Sequence, residues 1–358
     1  MSSNKIHFGR PKKHKQKLSE LTLTIDNLSL EGRGVSRQTA TEQGQKTIFV
    51  DGAIPGEIVR VKISQQHKNY DEAKLISIEQ ASVHRVDANC EHYNHCGGCQ
   101  LQHIATPAQL DFKQQAVLSL LARSAKVTPL SIQEPIRSAP YHYRRTARIG
   151  VNRLSQSNNI IVGFRRKSSS KLLQVTKCNI LPENLSGLFD QLRQTLQQIS
   201  NAKAITHIEY QQGDQSGALT FRCKEPLSKQ ARKLLATMLT ELGLQGFLKF
   251  DSATEPLHTN AESLSYFVNQ VELRFNSGDF LQVNSQVNKQ MINRAIEWLA
   301  LTEKDHVLDL FSGLGNFSLP IAKHVATVTG VEGSESMVQR ASENALYNKI
   351  ENSQFFQC

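Results

Sequence analysis

The chain is short of three things, and each shortage removes a class of explanation. No run of eighteen or more apolar residues occurs in its 358 positions, so neither an α-helical membrane span nor a membrane partner is expected. The opening stretch MSSNKIHFGRPKKHKQK holds no apolar core; export is not expected, and the cytoplasm is the expected location. Cysteine is sparse, with six residues, and in a chain read as cytoplasmic the clustered ones read as metal ligands or catalytic thiols rather than a disulfide framework. Acid is in deficit: 32 Asp+Glu face 42 Lys+Arg, and the net charge of +10 suits a polyanion such as nucleic acid. Lys5, Arg10, Lys12, Lys13, Lys15 and Lys17 stand together without one acid, so residues 1–17 read as a solvated basic tail that can reach for phosphate.

A chain of this length is expected to form two or three domains. Residues 18–81 alternate as short strands do, in LTLTIDNLSL, KTIFVDGAIPGEIVRVKISQQ and YDEAKLISIEQ, with Gly32, Gly34, Gly52 and Gly56 at the turns. The pattern suggests a small antiparallel barrel. GRGVSR followed by IFVDGAIPGEIVRVKI resembles the TRAM domain, an OB-like barrel carried by RNA-modifying enzymes. A helix is expected over ATPAQLDFKQQAVLSLLARSA, inside a mixed α+β central region that runs over 82–265. Over 266–358 the pattern becomes helix, strand, glycine loop, helix, strand, which is the start of a doubly wound Rossmann-like domain. The expected class is therefore multidomain α/β.

Three cysteines and three histidines crowd into CEHYNHCGGCQLQH, residues 90–103. Cys90, Cys96 and Cys99, with Cys178 downstream in VTKCNIL, offer four thiolates, enough for Zn²⁺ or for an iron–sulfur cluster. Three close cysteines and one remote partner suit a cubane cluster better than paired zinc knuckles, but ligand count leaves both metals open. His92, His95 and His103 read as surface residues of a polar loop, and Cys223 as an ordinary strand cysteine.

HVLDLFSGLGNFSLPIA reads as a buried strand, a glycine loop and a first helical turn, in which Gly313 and Gly315 let a ligand approach the backbone. The third glycine of a dinucleotide loop is replaced by Ser318, which weakens a pyrophosphate reading. The next strand, ATVTGVEGS, ends in Glu332, an acceptor for two ribose hydroxyls; Asp309 ends the first strand and reads either as part of the site or as a helix cap. Together these suit S-adenosyl-L-methionine. Upstream, YHYRRTARIGVNR and GFRRKSSSK set Arg144, Arg145, Arg148, Arg153, Arg165, Arg166, Lys167 and Lys171 beside Tyr141, Tyr143 and Phe164, a mixture suited to unpaired RNA.

The cysteine segment with VGFRRKSSSKLLQVTKCNI, and the loop DLFSGLGNF, resemble the RNA uracil-C5 methyltransferases. The resemblance implies a [4Fe-4S] cluster on Cys90, Cys96, Cys99 and Cys178, and S-adenosyl-L-methionine contacts from Gln282, Phe311, Asn316 and Glu332. Ser312 stands where the family commonly has cysteine. The substrate implied is 23S ribosomal RNA, without an obligatory protein partner, methylated through a cysteine adduct at uracil C6. The motifs that carry that cysteine in the family are not found here, so no catalytic residue is assigned and a C-terminally truncated chain is expected. Two alternatives follow: a catalytically inactive RNA-binding remnant, and a radical methylthiotransferase, whose cluster spacing and TRAM position both differ.

Overall fold

The computed structural model describes residues 20–41, 44–251, 253–257 and 263–358; the basic tail lies outside them. The chain forms two compact units, Met1–Asn89 with Cys99–Ile132, and Cys90–Gly98 with Gln133–Cys358.

The first unit is a six-stranded sheet of β1 (Glu20–Thr24), β2 (Asn27–Leu28), β3 (Gly34–Thr41), β4 (Gly44–Asp51), β5 (Ile58–Gln66) and β6 (Tyr70–Gln80), in the order β1-β5-β6-β4-β3-β2. Alternation sets the buried face: Val59, Val61 and Ile63 of β5 join Leu23, Ile48, Val50 and Ala73 in the core, while Arg60 and Lys62 point outward. The sheet is not wholly antiparallel as the sequence pattern suggested. The β5–β6 hairpin reverses the chain twice after β4, so β6 runs along β4 in the same direction and pairs with it in parallel. Beneath the turn at Ile54, a fully buried Glu57 accepts hydrogen bonds from the Ile54 amide at 3.0 Å and the Arg85 guanidinium at 2.9 Å. Helix α1 (Thr106–Leu120) starts with Pro107 in its first turn and buries Ala108 beside Leu28, Ile54 and Ile104.

The second unit is built on a seven-stranded sheet: β7 (Thr146–Arg153), β8 (Ile160–Arg165), β9 (Leu172–Gln174), β10 (Ile205–Gln212), β11 (Gly217–Cys223), β12 (Leu244–Lys249) and β13 (Thr254–Pro256), ordered β13-β12-β11-β10-β7-β8-β9. Helices α2 (Leu188–Gln198) and α3 (Lys229–Glu241) cover one face, where Phe189, Leu192 and Leu235 pack on Ile149, Val162, Tyr210 and Phe221. A hairpin of β14 (Leu264–Val268) and β15 (Val271–Phe275) follows, then α4 (Ser285–Leu299).

The chain then alternates β16 (His306–Leu310), α5 (Ser318–Ala322), β17 (Thr327–Glu332), α6 (Glu335–Tyr347) and β18 (Ser353–Gln357), with the three strands parallel in the order β16-β17-β18. An open parallel sheet with helical crossovers is what the methyltransferase reading requires, and it removes the motive for the radical one. Among the described residues the strand order steps in one direction only, and Leu308 and Leu310 on β16 stay about 60% exposed. No helix of the described residues is long and apolar enough to cross a membrane.

Candidate cofactor site

The loop after β16 concentrates unusual backbone geometry. Phe311, Gly313 and Gly315 all have positive φ, at 62°, 58° and 93°. Glycine adopts such angles freely, whereas a bulky aromatic does so at a cost of about 1–3 kcal/mol, a strain concentrated at functional sites. The Phe311 ring is also 86% exposed. The strain therefore serves to hold an aromatic face outward at the carboxyl edge of the sheet.

Glu332, ending the neighbouring strand, takes the Gly313 amide on one carboxylate oxygen and the Ser334 amide on the other, both at 3.0 Å. Its position is thus locked to the loop, and each oxygen keeps lone-pair capacity for a hydroxyl. The Asp309 carboxylate accepts from the Ser318 hydroxyl at 2.5 Å at the start of α5, and burial pushes its pKa up despite that bond.

Asn316 is held from two sides. Its carbonyl oxygen accepts from the Tyr266 hydroxyl and from the Asn288 amide, and its own amide donates back to Asn288, all at 2.9 Å. Burial pushes the Tyr266 phenol up to about 12, which keeps it a neutral donor. The Asn316 side chain therefore fixes the loop against α4 and β14. Gln282 is positioned through its backbone: the buried Arg145 donates to its carbonyl at 2.7 Å and lies over the Tyr266 ring at 4.1 Å. Arg145 thus joins the segment carrying Gln282 to the network that holds Asn316.

Ser312 is buried, and among the described residues its hydroxyl has no hydrogen-bond partner. An unsatisfied buried hydroxyl costs free energy. Ser312→Ala is therefore expected to raise stability by about 1 kcal/mol, read as a higher urea midpoint at unchanged slope; a lower midpoint would show that the hydroxyl has a partner in solution.

The cysteine segment is laced to the β8–β9 hairpin. The Gly97 amide donates to the Arg165 carbonyl at 2.8 Å, Lys167 donates to the His95 carbonyl at 2.9 Å, and Cys96 bridges to Arg166. Glu91 accepts from the Thr176 hydroxyl at 2.6 Å, and His92 takes the Thr176 amide at 3.1 Å, two residues before Cys178. Cys96 and Cys178 pack against the same apolar core, and the Gly98 amide points at the Cys96 sulfur at 3.4 Å. Among the described residues no three His, Cys, Asp or Glu side chains are drawn close enough to hold a metal ion.

A family model described as tRNA (Uracil-5-)-methyltransferase matches residues 106–358, and a TRAM domain model matches residues 15–76. The 23S rRNA (uracil(1939)-C(5))-methyltransferase RlmD of Shewanella piezotolerans is 38% identical over 97% of this chain and 78% of its own length. The chain belongs to the tRNA (uracil-5-)-methyltransferase family. A second member with the same name, from Colwellia psychrerythraea, is 39% identical over 98% of this chain and 79% of its own length. Among solved structures of the family, the Pyrococcus abyssi tRNA (uracil-54, C5)-methyltransferase with S-adenosyl-L-homocysteine covers 94% of this chain and 79% of its own at a TM-score of 0.70; at 19% identity it supports the fold, a TRAM domain with a Rossmann-like methyltransferase fold.

Within this family member four of the eight basic residues singled out by sequence divide into two groups. Arg145 is buried in the network above, and Arg153 donates to the Leu196 and Ile199 carbonyls at the end of α2, so both are architectural. Arg148 and Arg165 are exposed and line a groove on the sheet face opposite α2 and α3. Sequence reasoning missed Arg222 and Lys224, which line the same groove.

Proposed function

We propose that the chain binds S-adenosyl-L-methionine and takes part in the methylation of uracil C5 in 23S ribosomal RNA, giving 5-methyluridine at the position named for its relatives, nucleotide 1939. The observation that carries this reading is the loop from Phe311 to Asn316, strained and pinned to Glu332, in a chain of this family. Glu332 would take the two ribose hydroxyls, the Gly313–Gly315 backbone would face the methionine portion, and Phe311 would lie along the adenine. Asn316 and Gln282 hold the walls, Asn316 through Asn288 and Tyr266, Gln282 through Arg145. When bound, the cofactor supplies an electrophilic methyl group on sulfonium.

Uracil C5 attacks such a methyl only after a thiolate has added to C6. None of the six cysteines is proposed for that role. Cys223 is buried in the core with its thiol pushed up to about 11 by burial, and Cys358 follows β18 with its amide on the Glu332 carbonyl. The other four are proposed to hold a [4Fe-4S] cluster: Cys90, Cys96, Cys99 and Cys178. The support is the chemistry of the donor set and its flanks, since among the described residues the thiols are not drawn into one shell. The donor set is all sulfur, the Gly98 amide already faces the Cys96 sulfur, and the Glu91–Thr176 contact holds the flanks of Cys90 and Cys178 together. Its contribution would be a rigid crosslink between the cysteine segment and the loop that follows β9. Anaerobically purified protein is expected to be brown with about four irons per chain, and Cys178→Ser to lose both colour and iron; stoichiometric zinc without iron would overturn the assignment.

The function as a whole is tested by filter binding of two RNAs. A 23S rRNA fragment spanning nucleotide 1939 is expected to bind at least tenfold more tightly than a tRNA; equal affinities would contradict the ribosomal assignment.

A further inference from the structure

The central sheet has two unequal faces. Helices α2 and α3 seal one. On the other, Ala218 and Phe247 pack under the β14–β15 hairpin, and Thr220 and Gln211 bond to Ser277 and Gly278, so that one end of this face is also covered. The rest is open. Strand register sets Arg222, His207, Gly150 and Gly163 side by side across β11, β10, β7 and β8, and the groove above this row has a volume of about 870 Å³. Arg148, Arg165, Arg222 and Lys224 line it against one carboxylate, the exposed Asp251 paired with Arg222 at 2.6 Å.

The floor of the groove is shaped for a close approach. Gly150 lets Leu172 fold down onto β7, since a Cβ there would stand 2.4 Å from its methyl group. His207, between Thr206, Glu209 and Arg148, has its pKa lowered by burial first and then by the Arg148 charge, against the pull of Glu209, and it adds a polar edge to the floor. The Arg165 backbone is clamped by Gly97 of the cysteine segment, which holds that wall in place. None of these residues belongs to the cofactor site.

We infer that this half-open sheet face is a second RNA site, which takes the phosphodiester backbone of an unpaired strand running on from the target uridine. Guanidinium groups at the rim meet phosphates and stack on unpaired bases, and an open sheet gives a single strand a flat bed. Four cations, beside a lining Phe164 that is half-buried edge-on against Phe189, read the backbone rather than the base sequence. The inference rests on the RNA methyltransferase reading above.

The test measures affinity for the 23S rRNA fragment against salt for the full chain, for Arg148→Gln/Arg165→Gln, for Arg222→Gln/Lys224→Gln and for Lys233→Gln on α3, with S-adenosylhomocysteine affinity measured in parallel. Each groove pair is expected to lose RNA affinity about tenfold, and the slope of log affinity against log salt to fall by about 1.4, two phosphate contacts at about 0.7 each. Lys233→Gln is expected to match the parent, and all four proteins to bind S-adenosylhomocysteine equally. RNA affinity and slope unchanged in both groove pairs would overturn the site, as would an equal loss in Lys233→Gln. Two pairs on different strands guard against one disturbing its own loop. A parent chain that binds S-adenosylhomocysteine but no RNA would overturn the proposed function itself, and the site with it.

Discussion

Replacing Glu332 by alanine is expected to weaken S-adenosylhomocysteine binding about 100-fold. Two hydrogen bonds from ribose hydroxyls to a charged acceptor contribute about 1.5 kcal/mol each, and every 1.4 kcal/mol is a factor of ten. The loss goes beyond direct contact, because the same carboxylate takes the Gly313 and Ser334 amides and so shapes the loop it serves. Isothermal titration reads the affinity, and circular dichroism checks that the β16–β17–β18 sheet persists. An unchanged affinity would mean that the ribose lies elsewhere and that Glu332 only braces the loop.

The second large effect lies in the first unit. Glu57 is completely buried, and its carboxylate takes the Ile54 amide and Arg85, which also donates to the Gly52 carbonyl at 2.7 Å. Glu57→Ala strips the counter-charge from that guanidinium, which keeps only the Gly52 carbonyl, and leaves the Ile54 amide without its acceptor, at an expected cost of about 3 kcal/mol, the lower end for a broken buried pair because Arg85 is partly exposed. Burial pushes the Glu57 carboxyl up, but the Arg85 and Ile54 hydrogen bonds outweigh it and hold the pKa below its ordinary 4.5. A carboxylate depressed in the folded state stabilises fully above that ordinary value and loses its contribution as pH falls through the folded value. The thermal midpoint of the first unit is therefore expected to drop on acidification below about pH 4.5 in the parent, and to drop less steeply in the alanine variant. Parallel pH curves would show that the pair does not carry this stability.

The candidate cofactor loop was legible in the sequence because its parts are local. A strand, a glycine loop, a helix and an acid one strand later fall within a single contiguous pattern, and the structure sets the Gly313 amide on the Glu332 carboxylate with Phe311 at positive φ in the same loop. The partners that immobilise the loop were not legible: Asn288 and Tyr266 meet Asn316 only after α4 and β14 have packed. The basic residues show the same limit. Charge in a sequence does not reveal burial, so Arg145 and Arg153 read like Arg148 and Arg165 until the fold turned two inward and two outward. Arg222 and Lys224 sit in LTFRCKEP without the run of neighbouring cations that marked the upstream patch, and strand pairing alone brings Arg222 beside His207. In the first unit, alternation told which face of each strand is buried but not which strand lies beside it, and so the parallel β4–β6 pair went unforeseen.

The most direct test of the account is a crystal structure of the chain with S-adenosylhomocysteine. The account predicts the ribose hydroxyls on the Glu332 carboxylate, the amino-acid portion over Gly313 and Gly315, and the adenine beside Phe311. A ligand seated away from this loop, or a loop that stays empty at saturating ligand, would contradict it.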